Sequence, residues 1–124
     1  MFNDSTFSGK HLICDFKQIE NKELLNSLDG LKEVCKTICR IHDYSILQEC
    51  EYSFTPIGCT FLFLLSESHL SLHTFPEKNY ISFDLYTCRE YPDNSNDVYT
   101  NIYYYLVEQL KSKDSTMQII DRKF

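Results

Sequence analysis

Tryptophan is absent from this chain, and glycine and proline occur only three times each in 124 residues. So little of either excludes a collagen-like or low-complexity chain and leaves no stretch that reads as a flexible linker. The longest apolar run, around Cys59 to Leu65, falls far short of the ~20 residues a membrane-spanning helix needs. Basic residues are scarce beside acidic ones, 12 against 18, for a net charge of −6. That argues against a nucleic-acid surface, which needs a basic patch. The opening stretch MFNDSTFSGK lacks the basic-then-apolar pattern of a secretory signal, so a cytoplasmic location is expected. The six cysteines, at 14, 35, 39, 50, 59 and 88, are then expected to stay as thiols and not to form a disulfide framework. No Cys-x-x-Cys pair and no tight Cys/His pair occurs, and no metal is expected.

What the chain does have is enough apolar material for one core. Its length fits one domain, residues 1–124, burying roughly two-thirds of the surface exposed when unfolded. Its aromatics, nine Tyr and nine Phe, suit sheet packing.

Periodicity orders the elements. HLICDFK, residues 11–17, reads as a strand. Leu24, Leu28, Leu31, Val34, Cys35, Ile38 and Ile41 recur at three- and four-residue steps, which predicts one helix over about 22–41. Gly30 should weaken it by about 1 kcal/mol relative to alanine. Strands follow over 46–54, 60–65, 70–74 and 80–87, with turns at Pro56–Gly58 and Pro76–Asn79. After a polar break at 93–97, Val98, Ile102, Tyr105, Leu106 and Leu110 mark a second helix, and 117–120 a short last strand. Runs of neighbouring strands between helices point to an α+β two-layer sandwich, an antiparallel sheet with two helices packed on one face.

One stretch asks for chemistry. LLSESHLSLHTFPE, residues 64–77, places three serines, two histidines and two glutamates directly behind an apolar strand. Alone, these residues are equally at home in a polar turn. Together with GKHLICDF before it, a GCT element at 58–60 and FDLYTC at 83–88, the segment resembles the small prokaryotic-type S-adenosylmethionine decarboxylase proenzymes. The resemblance covers about residues 9–90 and is most specific from Ser66 to Glu77.

The resemblance implies that the chain cuts itself between Glu67 and Ser68, giving a β chain of residues 1–67 and an α chain of residues 68–124. The Ser68 hydroxyl attacks the Glu67 carbonyl, the peptide becomes an ester, and elimination followed by hydrolysis leaves a pyruvoyl group at residue 68. That group is the cofactor, and it condenses with the α-amino group of S-adenosylmethionine. His73 corresponds to the processing base, since imidazole titrates in the neutral range. Thr60 stands where the family usually carries a serine that supports processing. Cys88 corresponds to the proton donor, a thiol being mostly protonated at neutral pH. Phe54 and Phe75 correspond to rings that sandwich the adenine, Phe75 standing where tryptophan is more frequent. Glu77 corresponds to the carboxylate that holds the ribose. His11 is given no role beyond structure.

Tyr52 and Ser53 replace a basic pair that commonly precedes the first aromatic. Three functions remain open on the sequence: decarboxylation of S-adenosylmethionine for spermidine formation, the same chemistry on arginine or ornithine, and a non-catalytic regulatory partner of an active relative. A homodimer of cut units is also implied, with no nucleic-acid or membrane partner.

Overall fold

The computed structural model describes residues 6–124; the first five residues of the expected 1–124 domain lie outside it. Six strands and three helices follow the order β1 (Phe7–Ile19), α1 (Lys22–Leu25), α2 (Leu28–Ile41), β2 (Ile46–Ser53), β3 (Cys59–Leu65), β4 (Ser68–Phe75), β5 (Tyr80–Thr87), α3 (Asp97–Leu110) and β6 (Ser112–Lys123). The strands form one sheet in the order β2-β3-β4-β5-β1-β6, and every pairing is antiparallel. The α+β sandwich expected from the element order is the fold observed.

Strand alternation divides the sheet into two faces. Leu12, Cys14, Phe16, Phe61, Phe63, Leu70, Leu72, Ile81, Phe83 and Leu85 point to one side and are buried. They meet Leu31, Cys35 and Ile38 of α2 and Tyr99, Ile102, Leu106 and Leu110 of α3 in one core. Among the described residues the other face carries no helix. On it lie Thr60, Leu62 and Leu64 of β3, His69, Ser71 and His73 of β4, Asp84 and Tyr86 of β5, and His11 of β1. Leu62 and Leu64 are 43% and 48% exposed there, an apolar row that none of the described residues covers.

Two elements differ from the sequence expectation. The helix over 22–41 is two helices. Asn21 caps α1 by accepting from the Leu24 amide, and Ser27 caps α2 by accepting from the Gly30 amide at 2.9 Å. Two side-chain caps six residues apart restart the helix, while the leucine spacing runs through the break and hides it. A Cβ on Gly30 would sit 2.9 Å from the Ser27 hydroxyl, so the glycine lets this cap close and does not simply weaken a helix interior. The last strand is twelve residues long, not four. It is an edge strand whose polar residues carry little apolar signal; at its far end Asp121 meets the buried Lys10 at 2.8 Å.

Among the described residues no helix is long and apolar enough to cross a membrane. No disulfide forms: Cys14, Cys35, Cys39 and Cys59 are buried and Cys50 is exposed. Burial pushes the Cys14 thiol up to about 12 and Cys39 up to about 11, and raises Cys35 as well. The thiolate is the reactive form, so labelling of the native protein with a thiol reagent should modify Cys50 ahead of Cys14, Cys35 and Cys39. Those three should react only on denaturation, as read by peptide mass spectrometry. Rapid native modification of Cys35 would contradict this packing.

Candidate active site

Backbone pairing decides where the predicted residues fall. Leu65 pairs with Ser68 across the β3–β4 hairpin, so Ser66 and Glu67 form its two-residue turn. Ser68 pairs on its other side with Thr87, the last residue of β5. One step beyond, the Cys88 amide donates to the Glu67 carbonyl at 3.0 Å. Glu67, Ser68 and Cys88 therefore meet at one end of the sheet.

The backbone at Ser68 is unusual, with φ 145°. Side chains other than hydrogen make that conformation costly, by roughly 1–3 kcal/mol. It persists because β3 and β5 hold Ser68 from both sides. A second tight fit lies beside it. Gly9, at φ 154°, sits so close to β5 that a Cβ there would be 2.3 Å from the Thr87 carbonyl oxygen and 3.1 Å from the Cys88 Cα. Only glycine leaves the Thr87–Cys88 backbone where Glu67 can use it.

The Glu67 side chain is held as well as its carbonyl. Arg89 pairs with both carboxylate oxygens, its Nη2 lying 2.5 Å from Oε1. The same guanidinium donates to the carbonyls of His42 and Asp43, at 2.6 and 2.7 Å, and lies 4.9 Å over the Tyr44 ring. Below it, the Tyr44 and Tyr91 hydroxyls share a hydrogen bond of 2.6 Å, and the Tyr99 hydroxyl meets Thr87 Oγ1 at 2.7 Å. Burial raises the pKa of all three tyrosines, with that of Tyr99 at about 12, so the cluster remains neutral. Sequence reasoning missed Arg89 and Gly9. Arg89 directly follows the quoted FDLYTC and Gly9 opens the quoted GKHLICDF, but neither was given a role, because its meaning depends on contacts 22 to 78 positions away along the chain.

The other predicted residues lie at the opposite end. Thr60 Oγ1 and His73 Nδ1 share a hydrogen bond of 3.0 Å on the helix-free face. Beside His73 is a groove of about 260 Å³ lined by Ile13, Asp15, Ser71, Ser82 and Asp84. Phe75 follows on β4, half exposed and against Tyr80 with ring centres 5.5 Å apart. Glu77 is exposed in the 3₁₀ turn after it. Phe54 follows β2 at the same end, half exposed, its ring 4.9 Å from that of Tyr52.

The chain therefore brings its predicted residues together as two groups. Glu67, Ser68 and Cys88 form one, and Thr60, His73, Phe54, Phe75 and Glu77 the other. Ser68 and His73 are the same strand's first and sixth residues, which at about 3.3 Å per residue places them roughly 16 Å apart.

Comparisons with known proteins bear on the fold and the family. Residues 10–123 match the family described as S-adenosylmethionine decarboxylase. The S-adenosylmethionine decarboxylase proenzyme 2 of Bacillus cereus is 42% identical over 84 residues, 68% of this chain and 67% of the relative. An S-adenosylmethionine decarboxylase proenzyme of Clostridium botulinum is 32% identical over 121 residues, 94% of this chain and 95% of the relative. The crystal structure of the adenosylmethionine decarboxylase from Aquifex aeolicus VF5 superposes with a TM-score of 0.81, covering 97% of this chain and 94% of that one at 23% identity, and shares its fold. The chain belongs to the S-adenosylmethionine decarboxylase family.

Proposed function

We propose that the chain cuts itself between Glu67 and Ser68, and that the cut protein decarboxylates S-adenosylmethionine in the cytoplasm to supply the aminopropyl donor of spermidine. One observation carries this reading: the Cys88 amide donates to the Glu67 carbonyl immediately before a serine held at positive φ.

In the cut, Ser68 Oγ adds to the Glu67 carbonyl carbon and negative charge develops on the carbonyl oxygen. The Cys88 N–H already points at that oxygen, so it stabilises the charge without reorganising. The strain at Ser68 is in torsion about its own N–Cα bond, downstream of the amide that is lost, and cutting releases it. Arg89 keeps the Glu67 side of the bond from drifting off the hydroxyl. The adduct collapses by breaking the bond from the Glu67 carbonyl carbon to the Ser68 nitrogen, which takes up a proton, and an ester remains. A base then removes the α-proton of residue 68, the Cβ–Oγ bond breaks, and Glu67 leaves as the carboxylate end of the 1–67 chain. Hydrolysis of the dehydroalanine, with loss of ammonia, gives the 68–124 chain its pyruvoyl terminus.

The pyruvoyl group supplies an electron sink for the pair released as CO2 departs. Cys88, half-buried beside that terminus, is the proton donor to the substrate's α-carbon. Phe54 and Phe75 offer ring faces for the adenine, and Glu77 offers its carboxylate to the ribose hydroxyls.

Separation of the two groups points to a second copy. His73 is too far along its strand to reach its own Ser68. A two-fold contact places the same surface on both partners, and two helix-free faces stacked about an axis running across the strands lay the Ser68 end of one chain over the His73 end of the other. The exposed Leu62 and Leu64 would be covered in the same contact. The site is thus composite, and the homodimer is the working unit.

Denaturing mass spectrometry should show two fragments from the natural chain and one uncut, inactive chain from Ser68→Ala. The cut protein should release CO2 from S-adenosylmethionine and not from arginine or ornithine; an intact Ser68 after prolonged incubation would refute the scheme. Arg89→Ala should slow cutting by roughly ten- to a hundredfold, the cost of losing about an ångström of positioning, measured as cut fraction against time. Finally, Ser68→Ala and His73→Ala should each be inactive alone, yet regain activity when co-expressed, because one of the two composite sites in the mixed dimer is intact. Failure to complement would place His73 and Ser68 in one chain's site.

A further inference from the structure

The helix-free face holds a cluster that the scheme above does not use. In the row where β1, β5 and β4 lie side by side, His11 and His69 both stand opposite Tyr86. Both imidazoles turn toward Asp84, two residues back on β5. His11 Nε2 is 2.9 Å from Asp84 Oδ2 and His69 Nε2 is 3.9 Å from the same oxygen. One donor atom from each of the three residues lies within 4.8 Å of the other two. The second carboxylate oxygen is occupied, since the Ser71 hydroxyl donates to Asp84 Oδ1. The side chains are 19%, 42% and 29% exposed for His11, His69 and Asp84.

We infer that His11, His69 and Asp84 form a binding site for a divalent first-row transition metal of the zinc, cobalt or nickel class. Two imidazole nitrogens and one monodentate carboxylate are a donor set that such ions prefer, whereas calcium and magnesium prefer all-oxygen sets. With bonds near 2.1 Å, the edges of a tetrahedral site are roughly 3.3 Å long. The two distances to Asp84 Oδ2 lie on either side of that value, and all three donor atoms, within 4.8 Å of one another, must draw together by side-chain rotation to hold an ion. Three paired strands carry the ligands, which keeps them in register before the ion arrives. Ser71 acts on the ligand's outer oxygen, aiming the inner one. In the single chain the partial exposure leaves the remaining coordination position open to water, as in three-ligand sites; in the dimer proposed above that position faces the partner's sheet.

Sequence spacing gave no warning of this, because its ligands are 58 and 15 positions apart and only strand pairing unites them. The site requires the folded sheet alone and is independent of the cut. If the chain is cut, the ion joins residue 11 of one fragment to residues 69 and 84 of the other.

The test is cobalt titration of the full-length, chelator-treated protein, followed by visible absorption. One equivalent of Co²⁺ should give ligand-field bands without a thiolate charge-transfer band, and Zn²⁺ should abolish them stoichiometrically. Asp84→Asn and His69→Gln should each weaken binding at least tenfold, while Cys50→Ser should leave it unchanged. His69 is the most exposed of the three, so its variant keeps the test valid if Asp84→Asn does not fold. Absence of the bands, undiminished binding in the folded variants, or bands that vanish in Cys50→Ser would each overturn the assignment.

Discussion

The pairing of β4 with β5 is the constraint on which the rest of the molecule depends. It sets Ser68 opposite Thr87 and so lays the Cys88 amide on the Glu67 carbonyl. A slip of one residue would turn His69, Ser71 and His73 to the opposite face and remove that hydrogen bond. The register is held from several directions. Leu70, Leu72 and Thr74 must stay on the core side, the two-residue turn before Ser68 allows no slack, and Gly9 packs against the end of β5 from the neighbouring strand. The positive φ at Ser68 is the local consequence of fitting a serine where three strands agree on the position of the backbone.

Alternation within the sheet separates stability from chemistry. One set of side chains is sealed beneath α2 and α3. The other set, one residue out of phase, carries the histidines, the Thr60–His73 pair and Asp84 on an open face. Reactive groups on that face can be arranged without disturbing the core, and they share it with apolar side chains that the described residues leave uncovered. A single strand also limits what one chain can assemble. Residues five apart on β4 are rigidly held away from each other, so any function needing Ser68 and His73 together must recruit a second surface.

The end of the sheet near Ser68 is also the point where the two prospective fragments are most closely tied. Arg89 belongs to the downstream segment, while Glu67, His42, Asp43 and Tyr44 belong to the upstream one. The guanidinium contacts all four. Strand pairing of β1 with β5 and β6 adds a long backbone ladder between the same segments, so breaking one peptide bond leaves the fold's hydrogen bonding almost intact.

The amino-acid order alone determined the strands whose apolar pattern is strong, β3 and β5 above all, and the local run of serine, histidine and carboxylate residues to which the proposed chemistry is assigned. These are legible because side-chain period and functional spacing are properties of neighbours along the chain. The break between α1 and α2 was hidden by leucines spaced as in one helix, and β6 by the polar residues of an edge strand. Arg89, Gly9 and the His11–His69–Asp84 cluster could be found only in the tertiary structure. So could the division of the predicted site into two ends. Each depends on which residues distant in sequence lie across a hydrogen-bonded ladder, and that is decided by strand order and register, which no local pattern encodes.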